Sequence, residues 1–578
     1  MKGNILKRLL KYILRHRRFA AGALLCALFS NILMIAGPYI IGMGVDNIAG
    51  KGRVDFENIL YIVLVILGLY IVSAIFQWTL QVLTGKLANR AVEELRNDVF
   101  VHVSKMPLEY YDRNPHGDIM SRLTSDMEYI SEGIFQAVTQ MVTGIISIIG
   151  SLVFMFILNP AITLIVLIMT PVTFLIASFI TRRSSRLFKE QSRLGGELNG
   201  FVEELIGSQK VVKAFNYEAR AQERFEEING RLYKAGRWAQ FYSSLVNPST
   251  RLVNNITYVL LGLTGGLAAV AGRLSVGYIS SFLTYSTYFS QPINNITSVT
   301  TQLQTAVASA QRVFAVLDSE TEQTDKGLME FKSSGGKVSF EEVTFSYTPD
   351  TRLISNFSLN VQKGTRIAVV GPTGAGKTTL VNLLMRFYDA NSGNIYIDDI
   401  NIRAMTKDSL RKSFGMVLQD TWLFSGTIRE NIAYGKPDAT DEEIVNAAIS
   451  ANAHSFIRKL PLGYDALVTE GGGNLSQGQR QLLTIARVML IIPPMLILDE
   501  ATSSVDTRTE IKIQKAFNKL MEGRTSFIIA HRLSTIREAD VILVMNNGQI
   551  VEQGNHEQLM AKGGFYSKLY YSQYETAD

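Results

Sequence analysis

Long apolar runs without a charged side chain alternate with basic, helix-forming stretches until Arg312, where the pattern stops. No Asp, Glu, Lys or Arg occurs from Phe19 to Val45, Asn58 to Gly85, Gly133 to Thr181, Leu252 to Gly272 or Leu274 to Gln311. A helix needs about 20 apolar residues to cross the hydrocarbon core of a bilayer. The third run is long enough for two crossings, and Asn159-Pro160 supplies a turn in its middle. The pattern therefore predicts six transmembrane helices, at about 19–44, 58–80, 133–157, 161–181, 246–271 and 276–305. Five charge-free runs of this length are too many for buried helices of a water-soluble core.

Between helices 2 and 3, and between helices 4 and 5, lie long polar stretches with few helix breakers. They read as helices that continue beyond the membrane, broken at Asn114-Pro115-His116-Gly117 and near Gly207. Past Arg312 charge returns every few residues. The polar stretch 319–336 ends in a glycine pair and reads as a linker between a membrane domain at 1–318 and a second domain at 337–578. In the second domain KVSFEEVTFSY (337–347), RIAVV (366–370), FGMVL (414–418), MLIL (495–498), SFIIA (526–530) and VILVM (541–545) are short apolar or alternating runs between helical segments. They predict an α/β domain with a largely parallel sheet.

The placement of Lys and Arg sets the expected orientation. Lys2, Lys7, Arg8, Lys11, Arg15, Arg17 and Arg18 precede helix 1, and Arg182, Arg183, Arg186, Lys189, Arg193, Lys210 and Lys213 follow helix 4. The opposite loops hold only Lys51, Arg53 and Arg273. The N-terminus, both long loops and the second domain are thus expected in the cytoplasm of a cell-membrane protein. Helix 1 is too long for a cleavable signal peptide and no small-residue cleavage site follows it. The net charge of +6 calls for no nucleic acid, because cytoplasmic flanks of membrane helices are basic. Cys26 is alone, which excludes an intrachain disulfide, and the histidines show no metal-ligand spacing.

The chemistry lies in the second domain. Gly371-Pro372-Thr373-Gly374-Ala375-Gly376-Lys377-Thr378-Thr379 follows a strand-like run and precedes a helix-like one. This is the setting of a P-loop, in which backbone N–H groups and a helix N-terminus face phosphate. Lys377 suits the β- and γ-phosphates, and Thr378 suits Mg2+. MLILDE ends in Asp499, a candidate Mg2+ partner, and Glu500, placed to polarise an attacking water. SFIIA ends at His531, a candidate sensor of the γ-phosphate at the carboxyl end of a strand.

Together these motifs resemble the ATP-binding cassette (ABC) exporter family over nearly the whole chain, as a half-transporter with one six-helix membrane domain and one nucleotide-binding domain. The resemblance implies that Tyr347 stacks on adenine, and that Gln419 in VLQD reports on Mg2+. It makes Leu475-Ser476-Gln477-Gly478-Gln479 the signature loop, which completes the ATP site of an opposite chain. Ser503-Ser504-Val505-Asp506 become the loop crossing the dimer interface. YYDRNPHGDIMSRLTSD (110–126) and LIGSQKVVKAFNYE (205–218) resemble the two coupling loops. TEGGGNLS (469–476) keeps the glutamate of the segment that meets them, Glu470, but has Gly471 where a basic residue is usual.

What the resemblance implies is ATP-driven export of an amphipathic or lipophilic substrate (a drug, lipid or peptide) by alternating access. A lipid flippase with the same machinery and an ATP-gated, non-pumping protein are the alternatives; Glu500 and His531 favour turnover over gating. An importer is disfavoured because the two domains are fused. Gln477 replaces a signature glycine while Lys377, Asp499, Glu500 and His531 are intact. That combination resembles the active-glutamate chain of an asymmetric bacterial heterodimer, with a homodimer as the alternative. Asn31, Asn254, Asn255, Gln302 and Gln304 serve either as cavity contacts or as hydrogen bonds between helices. Arg251 is expected to snorkel to the headgroups.

Overall fold

The computed structural model of the chain describes residues 2–48, 54–322, 324–333, 335–348, 353–419, 421–499, 505–530 and 533–574. Lys51, Arg53, Glu500, Ser503, Ser504 and His531 lie outside the described residues. The chain divides into two compact units, Met1–Lys105 with Asn114–Thr321, and Met106–Arg113 with Glu322–Asp578.

The first unit is helical. It holds α1 (Lys2–Arg15), α2 (Arg17–Asp46) and α3 (Phe56–Val103); α4 (Leu108–Arg113) groups with the second unit. Then follow α5 (His116–Leu123), α6 (Ser125–Gln136), a π-helical turn (Ala137–Val142) and α7 (Thr143–Leu158). They are succeeded by α8 (Pro160–Gly207), α9 (Gln209–Ala214), α10 (Glu218–Ser244), α11 (Val246–Val270) and α12 (Val276–Leu317). Asn159 separates α7 from α8: its side chain caps the N–H groups of Ala161 and Ile162, and Pro160 takes the first helical position, where no N–H is needed. The chain breaks at Asn114-Pro115 and after Gly207, as the polar breaks predict.

Among the described residues, five helical segments are long and apolar enough to cross a membrane, within Arg17–Asp46, Phe56–Val103, His116–Leu158, Pro160–Gly207 and Glu218–Val270. α12, expected as the sixth crossing, is long but more polar, with Ser, Thr, Tyr, Asn and Gln along its length. It is built to pack against other helices. A Cβ on Gly277 would lie 1.9 Å from the Gly42 carbonyl oxygen, so these two glycines let α12 and α2 meet backbone to backbone. Tyr285, fully buried, donates its hydroxyl to the Ile35 carbonyl at 2.7 Å. Asp126 of α6, also buried, pairs with Arg312 of α12, whose Nε lies 3.0 Å from Oδ2.

The second unit has two main sheets. β1 (Val338–Phe345), β2 (Ile354–Val361), β4 (Ser392–Ile397) and β5 (Ile400–Asn401) form an antiparallel sheet in the order β2-β1-β4-β5, while β3 is Arg366–Val370. β3 joins β6 (Phe414–Val417), β9 (Met495–Asp499), β10 (Thr525–Ile529), β11 (Val541–Asn546) and β12 (Gln549–Gly554) in the order β12-β11-β3-β10-β9-β6. A short pair, β7 (Gly426–Thr427) and β8 (Leu467–Val468), lies apart from both. All pairings of the six-stranded sheet are parallel except β11 with β12. Ala368, Val370, Leu496, Leu498 and Ile528 enter one core, and Ile367, Val369, Met495, Ile497 and Phe527 enter the other. Burial on both faces is why these strands read as unbroken apolar runs.

The alternating run 337–347 forms β1 as a strand, and it belongs to the separate antiparallel sheet. The stretch 319–336 is not a free linker throughout. From Glu322 onward it is built into the second unit: Glu322 pairs with Lys407 and Arg411, Phe331 is buried, and Asp398 accepts from the N–H groups of Gly335, Gly336 and Lys337.

Candidate functional site

The central strand β3 ends at Val370, and the loop Gly371–Gly376 leads into α13 (Lys377–Leu384). A Cβ on Gly371 would lie 2.2 Å from the Met545 carbonyl oxygen, so only glycine lets the loop leave the strand so close to β11. Gly376 takes φ of 99° and caps α13 without a side-chain partner. The first N–H groups of α13 therefore have no side-chain acceptor and suit an anion. Lys377 Nζ donates to the carbonyls of Gly371 at 2.7 Å and Pro372 at 3.0 Å, which lays its charge across the loop. Burial pushes this ammonium below the usual lysine range, and the nearby Asp499 carboxylate pushes it back up. Thr378 is exposed beside it.

β6 and β9 are parallel neighbours, so Gln419 and Asp499 emerge at the same end of the sheet as the loop after β3. Carboxyl ends of parallel strands are where ligands bind in open α/β sheets. Thr378, Gln419 and Asp499 offer hydroxyl, amide and carboxylate oxygens, a set that suits a hard cation such as Mg2+.

Tyr347 follows β1, with its ring edge-on to Phe345 (4.8 Å) and Tyr388 (4.9 Å). Its hydroxyl accepts from Asn382 of α13 at 2.9 Å. This aromatic cluster is tied to α4: Tyr388 Oη donates to the Asp112 carboxylate, and Arg113 donates to the Tyr347 carbonyl at 3.1 Å. Neither Tyr388 nor Asn382 belongs to a motif, so these supports of Tyr347 show only in the fold.

The signature residues stand at the start of α18 (Gln477–Ile491). The helices between α13 and this one are α14 (Lys407–Lys412), α15 (Ile428–Ala433), α16 (Asp441–Ser450) and α17 (His454–Ile457). Ser476 caps α18: Gln479 N–H donates to its Oγ at 3.3 Å, and its own N–H donates to Gln479 Oε1 at 3.0 Å. Leu475 is buried. Gly478 packs so closely that a Cβ there would lie 2.5 Å from Thr509 Cγ2 and 2.9 Å from Val505 Cγ1. Gly478 therefore packs against Val505 and the first turn of the helix that follows it. Asp506 caps α19 (Thr507–Met521), and the Thr509 N–H holds its carboxyl below the usual range. Gln477 sits in the first turn of α18, not in the left-handed region. Its backbone is thus unstrained, and what Gln477 adds over a glycine is the bulk and dipole of its side chain. Among the described residues no hydrogen bond joins 475–479 to 371–379.

The first unit contains a cavity of about 1170 Å3. It is lined mainly from α2, the π-turn, α7 and α12. A π-turn widens a helix locally and is frequent at functional sites; here it brings Gln140 to the cavity. Of the amides singled out by sequence, Asn31 and Gln304 line this space, and Asn254, Asn255 and Gln302 do not. Gln140, Gln291 and Asn295 line it without having been foreseen.

A phosphate-binding loop at the end of a doubly covered parallel sheet, in one chain with membrane-crossing helices, defines a multi-pass membrane ATPase. The chain belongs to the ABC transporter family: residues 21–293 match the ABC transporter transmembrane region, and residues 354–503 match the ABC transporter domain. It is 45% identical over 526 residues to the fatty acid ABC transporter ATP-binding/permease protein of Mycobacterium bovis, covering 91% of this chain and 83% of that one. It is 41% identical over 572 residues to the ABC transporter ATP-binding protein YfiC of Bacillus subtilis, covering 99% and 94%. A bacterial Atm1-family ABC exporter solved with ATP bound superimposes with a TM-score of 0.78 at 29% identity, over 96% of this chain and 98% of that one. The protein is an ABC exporter whose ATPase is coupled to transport. Such exporters work as dimers, and this chain supplies one half.

Proposed function

We propose that the protein exports an amphipathic or lipophilic substrate across the cell membrane, with its N-terminus, long loops and nucleotide-binding domain in the cytoplasm. The observation that carries this reading is the cavity of about 1170 Å3, in the same chain as the P-loop site. The fatty acid named for the mycobacterial relative shares the alkyl chain of this class but carries a carboxyl head. The division lies between residues 318 and 337, with the membrane domain before it and the nucleotide-binding domain after it.

ATP is held by Gly371–Thr379, with adenine against Tyr347 and the phosphates at Lys377 and the α13 N-terminus. Thr378, Gln419 and Asp499 would hold Mg2+, which when bound neutralises phosphate charge. Glu500 takes the proton of the attacking water, and His531 contacts the γ-phosphate. Ser476 and Gly478 act on the site of the opposite chain. ATP bound between two chains draws the loops together, and loss of the γ-phosphate releases them. Gln477 favours a heterodimer in which a partner chain lends a glycine signature to Glu500.

The test is ATP-driven movement of amphiphiles in vesicles holding the purified full-length protein, made alone and with any half-transporter encoded beside it. Movement that needs ATP and is lost in Lys377→Ala supports export. ATP hydrolysis with no movement of any amphiphile refutes it.

A further inference from the structure

We infer that the cavity of the first unit selects amphiphiles with an uncharged, hydrogen-bonding head, and discriminates against anionic and cationic ones; this rests on the export reading. None of the residues lining the cavity is Asp, Glu, Lys, Arg or His. The polar character comes from amides, hydroxyls and the Tyr288 phenol.

Gln140, Gln291, Asn295 and Gln304 are exposed toward this space, and among the described residues their side chains have no hydrogen-bond partner. Asn31 differs. Its Nδ2 is used on the Ala27 carbonyl at 2.8 Å, which leaves its Oδ1 as an acceptor at the cavity wall. An amide both donates and accepts, so this set can satisfy a hydroxyl, ester or amide head whichever way it enters.

A carboxylate, phosphate or ammonium fares worse. Amide dipoles solvate an ion only in part, and no opposite charge in the lining repays its dehydration. The rest of the wall, with Met34, Ile35, Ile145 and Leu303, suits an alkyl chain. At about 1170 Å3 the cavity exceeds the roughly 300–1,000 Å3 of a typical drug-sized site and has room for head and chain together. The π-turn matters because it presents Gln140 across from the α12 amides. A cavity built for one charge sign would instead carry a fixed counter-charge.

The test uses three probes of one alkyl length: an alkyl glucoside, an alkyl phosphate and an alkyltrimethylammonium. ATP-dependent uptake of each is measured in inside-out vesicles holding the full-length transporter. The glucoside should enter, with both ions slower by a factor on the order of 10 or more. Asn295→Lys should swing the glucoside-to-phosphate ratio toward the phosphate, a ratio that does not depend on how much protein folds. Uptake of either ion at the glucoside's rate overturns the inference and leaves export standing. Uptake of none of the three, while ATP is hydrolysed, overturns the export reading itself.

Discussion

Arg113 donates to the main-chain carbonyl of Tyr347 at 3.1 Å, and beside it Tyr388 donates to Asp112. A short helix cut from a loop between two membrane-domain helices is thus fastened to the segment expected to hold adenine. The backbone of Tyr347 and the position of α4 share these bonds.

Arg113→Ala should therefore weaken ATP binding modestly, by about 1 kcal/mol or roughly fivefold, since the guanidinium is largely exposed. Substrate stimulation of the ATPase should fall more than the basal rate. Equal loss of both, measured on purified protein in lipid, would assign the bond to local folding alone.

Glu500→Gln should keep ATP binding and lower hydrolysis by roughly 10²-fold, the usual effect of removing a positioned general base. Nucleotide affinity and single-turnover hydrolysis separate the two. Turnover near the wild-type rate would remove Glu500 from the role proposed for it.

Gln477 and Gly478 should behave differently although adjacent. Gly478→Ala brings a methyl group into Thr509 and Val505, so it should lower stability as well as activity. Gln477→Gly changes no strained backbone, and should raise hydrolysis by a complex of this chain alone. Strong substrate-stimulated hydrolysis by the unmodified chain alone, in a stable dimer, would refute the heterodimer.

The Asp126–Arg312 pair joins α6 to α12 with the carboxylate buried and the guanidinium half-exposed. Arg312→Ala should cost about 2–3 kcal/mol, less than a fully buried pair because water screens the arginine. Adding Asp126→Asn should recover part of the loss, as a thermal-unfolding series in detergent would register.

What the sequence disclosed depended on the kind of burial. β3, β9, β10 and β11 are covered on both faces and stood out as apolar runs, and the membrane helices stood out for lack of charge. β12 alternates between exposed and half-buried positions, pairs antiparallel at the edge, and carries too weak a pattern to be seen. The P-loop was legible because phosphate demands a fixed spacing of glycines and lysine. The α4 tie to Tyr347 and the placement of Gln140 were not, since both depend on segments distant in sequence meeting in space, and Gln140 also on a local change of helix type.

The polarity of α12 makes it dependent on its neighbours. A helix with so many hydroxyls and amides gains less from lipid than an apolar one does. What holds it is packing: Gly277 meets Gly42 of α2 backbone to backbone, and the Tyr285 hydroxyl reaches the Ile35 carbonyl. A side chain added at either glycine would therefore strike at the assembly of the helices, far from any ATP chemistry.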